Sequence, residues 1–335
     1  MKFDSIEKVP GFKIGHAQNE EALTGCTVIL CDDNSIGGVD QRGGSPGTRE
    51  TDLLRPMHMV ETVNAILLTG GSAYGLDAAA GVMKYLEERK KGINVGPTVV
   101  PIVPAAVLLD LTVGDPNIRP DSAMGYQACM NASNEAPLQG NYGAGTGATV
   151  GKILGKSQSM KGGIGHSAIE IGNGVWIGAI IAVNALGDVV DPVGRNIIAG
   201  ARTIRKSIVK IGASDLFANS LSIMASYFGQ KSLSFASRQN TVIGAVLTNA
   251  KLTKEETNKL AVSGQNGLVL SIQPSHTMFD GDTIFAVSSQ KKASNINSVA
   301  AFAPLVVAQA IDNAIRSAKG IPGIPSYQDL VENKG

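Results

Sequence analysis

Asn240-Thr241-Val242-Ile243-Gly244-Ala245-Val246-Leu247-Thr248-Asn249 is a β-branched, apolar run that starts at a hydroxyl residue after a long polar stretch. It is apolar at alternate positions of both parities, so it predicts a strand buried on both faces. Working outward, similar runs occupy residues 26–31, 65–68, 98–100 with 102–103, 175–181 and 283–287, bounded by Gly, Pro, Asn or Asp. Helical signals fall between them. Ser72 reads as a cap for a helix to about Arg89, with Leu76, Ala79, Ala80, Val82, Met83 and Leu86 on one side. Thr253 and Glu256 have capping-box spacing and open a short amphipathic helix. Residues 296–315 are apolar on nearly every face and predict a buried helix, with Pro304 as a kink or a second start. Strands apolar on both faces, alternating with helices, predict a layered α/β or α+β architecture with sheet sandwiched by helices.

The 335 residues are 43% hydrophobic and 17% charged, the latter below the usual ~25%, which excludes a disordered chain. Lys+Arg number 29 against 28 Asp+Glu, with no basic block beyond Lys90-Lys91 and Lys291-Lys292, so no nucleic-acid partner is expected. Gly contributes 40 residues and aromatics only 4%, so the core is expected to be small and aliphatic. The three cysteines, Cys26, Cys31 and Cys129, form no CxxC pair. The N-terminus has no signal-like apolar stretch, and the apolar run 175–186 is too short for a bilayer and carries Asn184. A cytoplasmic protein with no membrane partner is expected. Residues 202–240, dotted with Ser, Lys and Arg and with a weak helical piece at 216–227, read as an exposed connector ending at Arg238-Gln239-Asn240.

Two Gly-rich segments imitate phosphate loops. Thr69-Gly70-Gly71-Ser72-Ala73-Tyr74-Gly75 continues into Leu76-Asp77, and Gly151-Lys152 is followed by Ile153, so neither completes the Gly-Lys-Ser/Thr ending. Tight turns and close packing are the expected role of both. His16, His58, His166 and His276 lack zinc spacing and Asp280-Gly281-Asp282 is too short for a calcium loop, so no metal or cofactor is expected.

The Asn240-Thr241 junction offers chemistry. Attack of the Thr241 hydroxyl on the Asn240 carbonyl would shift the acyl group from N to O. Hydrolysis of that ester would free Thr241 as a new N-terminus, with a nucleophilic hydroxyl and an α-amine of pKa about 8 as its own base. An ordinary strand start explains the same dipeptide.

A resemblance weighs between these readings. The run Val39-Asp40-Gln41-Arg42-Gly43-Gly44-Ser45-Pro46-Gly47-Thr48-Arg49-Glu50-Thr51-Asp52-Leu53-Leu54 resembles the self-processing aminopeptidase family, which includes D-aminopeptidases, β-aminopeptidases and nylon-oligomer (6-aminohexanoate-oligomer) hydrolases. Residues 65–79, 240–249 and 276–283 are similar to its second signature, its cleavage site and its acidic loop, in order along nearly the whole chain. The resemblance implies a four-layer αββα sandwich like that of N-terminal-nucleophile hydrolases. It also implies one domain over 1–335, self-cleaved into an α chain 1–240 and a β chain 241–335, and a homo-oligomer, commonly a tetramer of αβ units.

Carried over by position, Thr241 matches the nucleophile and Asn184 an oxyanion-stabilising amide. Lys152 matches a lysine beside the nucleophile, and Asp280 and Asp282 match the acidic pair that orients its amine. Asp-Gly-Asp leans toward the nylon-hydrolase side, because aminopeptidase-like members place Ser and Glu in that loop. Leu109 stands where characterised members carry a tyrosine, and Ser72, Tyr74 and Tyr142 are the candidate substrate contacts.

The residues read alone keep other roles open: a turn residue for Asn184, a snorkelling chain for Lys152, turn formers for the two aspartates. The functions in competition are a self-activated amide hydrolase acting on small peptides, β-peptides or 6-aminohexanoate oligomers, an acyltransferase resembling ornithine acetyltransferase, and an uncleaved ligand-binding scaffold.

Overall fold

The run at residue 241 becomes the middle strand of a five-stranded sheet. A computed structural model describes residues 1–206, 209–212, 214, 216–226 and 240–332. In this sheet Gly163–Glu170, Trp176–Asn184, Thr241–Lys251, Thr283–Ala293 and Ile36–Gln41 lie side by side in that order. Thr241–Lys251 pairs antiparallel with Trp176–Asn184 and parallel with Thr283–Ala293. A second five-stranded sheet takes the order Phe12–Asn19, Thr24–Cys31, Ala65–Thr69, Ala105–Val107 and Thr48–Arg49.

The two faces of each sheet go to different cores, which accounts for the absence of polar alternation. Ile243, Ala245 and Leu247 join Ile14, Ile29, Ile66 and Leu68 between the sheets. Val242 and Val246 face the other way, onto Leu260, Ala261, Val306 and Val307 of the helices Lys254–Ser271 and Ile296–Ser317. Val28, Ala65 and Leu67 of the other sheet pack on Ala78, Ala79, Val82 and Ala128 of the helices Ala78–Glu87 and Ser122–Met130. The layers therefore run helix, sheet, sheet, helix, as the expected αββα sandwich requires.

Local sequence rules hold at several boundaries. Thr253 and Glu256 form the complete capping box, but the helix they open is 18 residues long, because its Leu260, Ala261 and Leu268 stripe is buried. Ser72 does not cap: Gly71 does, without a side-chain bond, and a 3-10 turn Ser72–Asp77 precedes the α-helix. The helix Ile296–Ser317 runs through Pro304 without a break, its packing on the sheet and on Lys254–Ser271 compensating for one missing N–H. It is long and apolar enough to cross a membrane by length and composition, and half of its apolar window is buried in this fold. Only the 99–100 portion of the 98–103 run is a strand.

The described part of the expected connector is folded. Ile204–Lys206 pairs with Val209–Ile211, and Ser220–Ala225 is helical. The buried carboxylate of Asp188 accepts from the backbone N–H groups of Ala201 (2.9 Å) and Ser220 (2.6 Å) and from Ser220 Oγ (2.8 Å), tying this segment down. Tyr227, Arg238 and Gln239 lie outside the described residues.

Candidate active site

Three segments far apart in sequence end at the same edge of the central sheet. Thr241 opens its strand, Asn184 closes the antiparallel neighbour and stands opposite Thr241, and Asp280-Gly281-Asp282 leads into the parallel neighbour. Asn184, Asn240, Thr241, Asp280 and Asp282 are all buried. The topology thus brings four of the five sequence-derived catalytic candidates together, and Lys152 reaches the fifth place from the Gly-rich segment.

The Asn240 carbonyl oxygen accepts from the Gly281 backbone N–H at 3.0 Å and from Thr241 Oγ1 at 2.5 Å. Position 281 must be glycine on steric grounds. A Cβ there would stand 2.7 Å from the Ser45 carbonyl oxygen and 2.9 Å from Thr241 Oγ1. Next along the loop, Asp282 Oδ1 accepts from the Val242 N–H at 2.9 Å. Its Oδ2 accepts from His276 twice, from the backbone N–H at 3.0 Å and from Nδ1 at 2.9 Å.

Asp280 Oδ2 accepts from the Thr277 N–H (2.8 Å) and the Thr277 hydroxyl (2.6 Å). Burial, followed by the neighbouring Asp282 charge, raises Asp280 from 3.8 to about 6, against the Thr277 hydrogen bonds and the Lys152 charge. The loop carrying both aspartates is backed by the 42–47 turn. Arg42 N–H donates to the Asp282 carbonyl, Gly44 N–H to the Thr277 carbonyl and Ser45 N–H to the Asp280 carbonyl, at 3.0, 3.1 and 2.8 Å. This gives the Gly-rich motif a place: it shapes the acidic loop by main-chain hydrogen bonds and by the Ser45 hydroxyl, which donates to the Met278 carbonyl at 2.9 Å.

Asn184 is fixed at both ends of its amide. Oδ1 accepts from Lys152 Nζ at 2.7 Å and the Thr149 N–H at 3.0 Å, while Nδ2 donates to the Leu109 carbonyl at 3.1 Å. Lys152 also donates to the Asn184 carbonyl at 3.0 Å. Leu109 therefore contributes its carbonyl, a group that every residue type has. Lys152 follows Gly151, whose φ of +69° and contact with the Gly200 backbone leave no room for a Cβ. Burial lowers Lys152 from 10.5 to about 7, opposed by the charges of Asp280 and Asp110.

The three candidate substrate contacts lie in different settings. Ser72, at φ +54°, donates its backbone N–H to the Leu108 carbonyl. Tyr74 is 61% exposed and stacks under the Arg119 guanidinium at 3.8 Å. Tyr142 lines a cavity of about 330 Å³ with Leu23, Gln139, Thr146 and Lys319, and none of the five catalytic candidates lines it. Among the described residues, no hydrogen bond links Ser72, Tyr74 or Tyr142 to Thr241.

Sequence reading passed over three groups. His276 read as a loop histidine, with nothing to show that it meets Asp282. Lys161 is fully buried and donates to the carbonyls of Gly145 (2.9 Å), Ala148 (2.9 Å) and Gly162 (3.0 Å). Asp110 accepts from Gly71 N–H at 2.7 Å and Thr24 Oγ1 at 2.7 Å, so an internal carboxylate occupies the Gly70-Gly71 turn where a phosphate would sit. The three cysteines are free, and burial raises their thiols, which disfavours the nucleophilic thiolate. Among the described residues there is no group of three or more His, Cys, Asp or Glu side chains that could hold a metal ion.

Known proteins resemble this chain in sequence and in fold. A family model described as Peptidase family S58 matches residues 4–328. An uncharacterized aminopeptidase of Mycobacterium tuberculosis is 36% identical over 350 residues, covering 98% of each chain. A 6-aminohexanoate-oligomer endohydrolase of Paenarthrobacter ureafaciens is 31% identical over 291 residues, covering 87% of this chain and 75% of its own. In fold, the chain is similar to the L-aminopeptidase D-Ala-esterase/amidase of Ochrobactrum anthropi, described as a variant of the Ntn hydrolase fold. The TM-score is 0.69 at 18% identity, over 97% of this chain and 92% of the other.

Proposed function

The chain belongs to peptidase family S58 and is a hydrolase acting on amides or peptides, and we propose that Thr241 is its nucleophile, freed by cleavage of its own Asn240–Thr241 bond. The observation that carries this reading is the shared carbonyl. The Thr241 hydroxyl and the Gly281 N–H both donate to the Asn240 carbonyl oxygen, so the proposed nucleophile and an oxyanion donor meet at the carbonyl of the bond to be cut.

In this scheme Thr241 Oγ1 bonds to the Asn240 carbonyl carbon and negative charge develops on the oxygen held by Gly281. Breaking of the C–N bond, with protonation of the nitrogen, leaves an ester. Water then breaks the ester, releasing the Asn240 carboxylate and restoring the Thr241 hydroxyl beside the amine already freed. The two pieces stay together because the new N-terminal strand is hydrogen-bonded on both sides within the sheet. The freed amine lies beside Asp280 and Asp282, and the same hydroxyl attacks an added substrate, with the oriented Asn184 amide and the Lys152 ammonium next to the developing charge.

The substrate class proposed is small amides with a free amino end: short peptides, β-peptides or 6-aminohexanoate oligomers. The curated relatives named aminopeptidase and 6-aminohexanoate-oligomer endohydrolase support it. Denaturing mass spectrometry of the full chain, run beside an amide-hydrolysis assay, tests both parts. Chains 1–240 and 241–335 with hydrolytic activity are expected. An intact chain that still hydrolyses amides overturns the nucleophile assignment, and an intact, inactive chain favours the scaffold reading. Transfer of the acyl group to an added amine without free acid would favour an acyltransferase.

A further inference from the structure

We infer that His276 is a positioning residue for this nucleophile: it clamps the carboxylate of Asp282, which in turn holds the backbone of Val242, the residue next to Thr241. The inference rests on the reading of Thr241 given above.

The clamp is unusual in form. His276 sits at φ +57°, a left-handed conformation that costs a non-glycine residue about 1 kcal/mol or more. In that conformation its backbone N–H and its own Nδ1 converge on one oxygen, Asp282 Oδ2, at 3.0 and 2.9 Å. The contact to Asp282 is made by the tautomer with its proton on Nδ1, which donates as the backbone N–H does. The other ring nitrogen, Nε2, is buried with no partner among the described residues. A buried polar atom without a partner costs about 1–3 kcal/mol, which an apolar side chain of similar size would avoid. Two local penalties are thus accepted at one residue whose side chain makes a single polar contact.

That contact has a direction. With Oδ2 held by His276, Asp282 can turn only Oδ1 toward the strand, where it takes the Val242 N–H at 2.9 Å. The Gly281 N–H beside it holds the Asn240 carbonyl, so one loop fixes the peptide on each side of Thr241. Releasing Oδ2 frees the carboxylate to rotate and the first residues of the strand to shift. A displacement of about 1 Å at a reacting group costs on the order of 100-fold in rate.

The test uses the full chain and three readouts: the self-cleavage time course by denaturing mass spectrometry, and kcat and KM on an amide substrate that the wild type cuts. His276→Leu is expected to slow cleavage and lower kcat by about 10- to 100-fold, with KM changed less than about threefold. His276→Asn, whose side-chain N–H reaches toward the same oxygen, is expected to recover a large share of that loss. In an Asp282→Asn background, His276→Leu should add little, because the two side chains act as one unit. Wild-type kcat in His276→Leu, equal losses in the Leu and Asn variants, or fully additive losses would each overturn the inference. If His276→Leu does not fold, His276→Ala, which also lacks a side-chain donor, takes its place in the cycle under the same criteria. A wild-type chain that never cuts overturns the reading of Thr241. A wild type that cuts no faster than His276→Leu overturns only the role of His276.

Discussion

The side-chain oxygen of Asn184 accepts from the Lys152 ammonium at 2.7 Å, and this contact decides which end of the amide faces which neighbour. With Oδ1 held by Lys152 and the Thr149 N–H, the NH2 end is the donor end, turned toward the Leu109 carbonyl. An amide alone has no such preference. Lys152→Met should therefore lower amide hydrolysis by about 100- to 1000-fold, the usual cost of losing an oxyanion-side donor, while Asn184 stays folded in its strand. Steady-state kinetics beside a thermal melt check this. A loss of activity that only follows a loss of folded protein would count against it.

The same variant carries a stability prediction. Burial lowers Lys152 from 10.5 to about 7, and Lys161 is lowered to about 7 for the same reason. Between about pH 7 and 10.5 the unfolded chain binds more protons than the folded chain at these two sites, so stability rises with pH across that window. Urea unfolding over this range should show the rise in the wild type and a smaller rise in Lys152→Met. An identical slope in both would remove Lys152 from the effect.

Thr241→Ala should leave a single 335-residue chain without amide hydrolysis, and Thr241→Ser should still cut, because it keeps the hydroxyl. Mass spectrometry of freshly made chains distinguishes them. Cleavage at 240 in the alanine variant would end the assignment of Thr241.

Gly281→Ala tests the crowding around Thr241. The added methyl would lie 2.9 Å from Thr241 Oγ1 and 2.7 Å from the Ser45 carbonyl oxygen, so the loop or the hydroxyl must move. Self-cleavage should slow by about 100-fold, the order of loss for a 1 Å misplacement. A wild-type time course would show that the carbonyl contact is not used.

Self-cleavage should also follow pH. Asp280, raised to about 6, loses its proton as pH rises through that value, and its charge then favours the Lys152 ammonium beside it. Lys152, lowered to about 7, loses its proton a little higher. If both charges are used, the rate forms a narrow bell with limbs near 6 and 7, and Asp280→Asn removes the acid limb. Newly translated chains quenched across a pH series would read it. A persistent acid limb in Asp280→Asn would assign it to another group.

The sequence by itself determined the layers and named the candidate residues of the site. Thr241–Lys251 is apolar on both faces because each face meets a different core, and this is visible in the run from Val242 to Leu247. The capping box at Thr253 and Glu256 is equally local, since both partners lie within one helical turn. The motif matches put Thr241, Asn184, Lys152, Asp280 and Asp282 on one list, but composition and spacing could not say what each touches.

Tertiary structure alone decided the contacts. Asn184 meets Lys152 across 32 positions and Val242 meets Asp282 across 40, and hydrogen bonds between such distant segments leave no periodicity to read. His276 and Lys161 looked unremarkable for the same reason: their partners are a carboxylate and three backbone carbonyls that only the folded chain brings to them. Gly281 is decided by space, because the atoms that exclude a side chain there belong to Ser45, Pro46 and Thr241. A pattern of apolar residues fixes which faces are buried, since burial is a sum over many weak contacts. The site depends on a few directional ones, and direction exists only once the segments have packed.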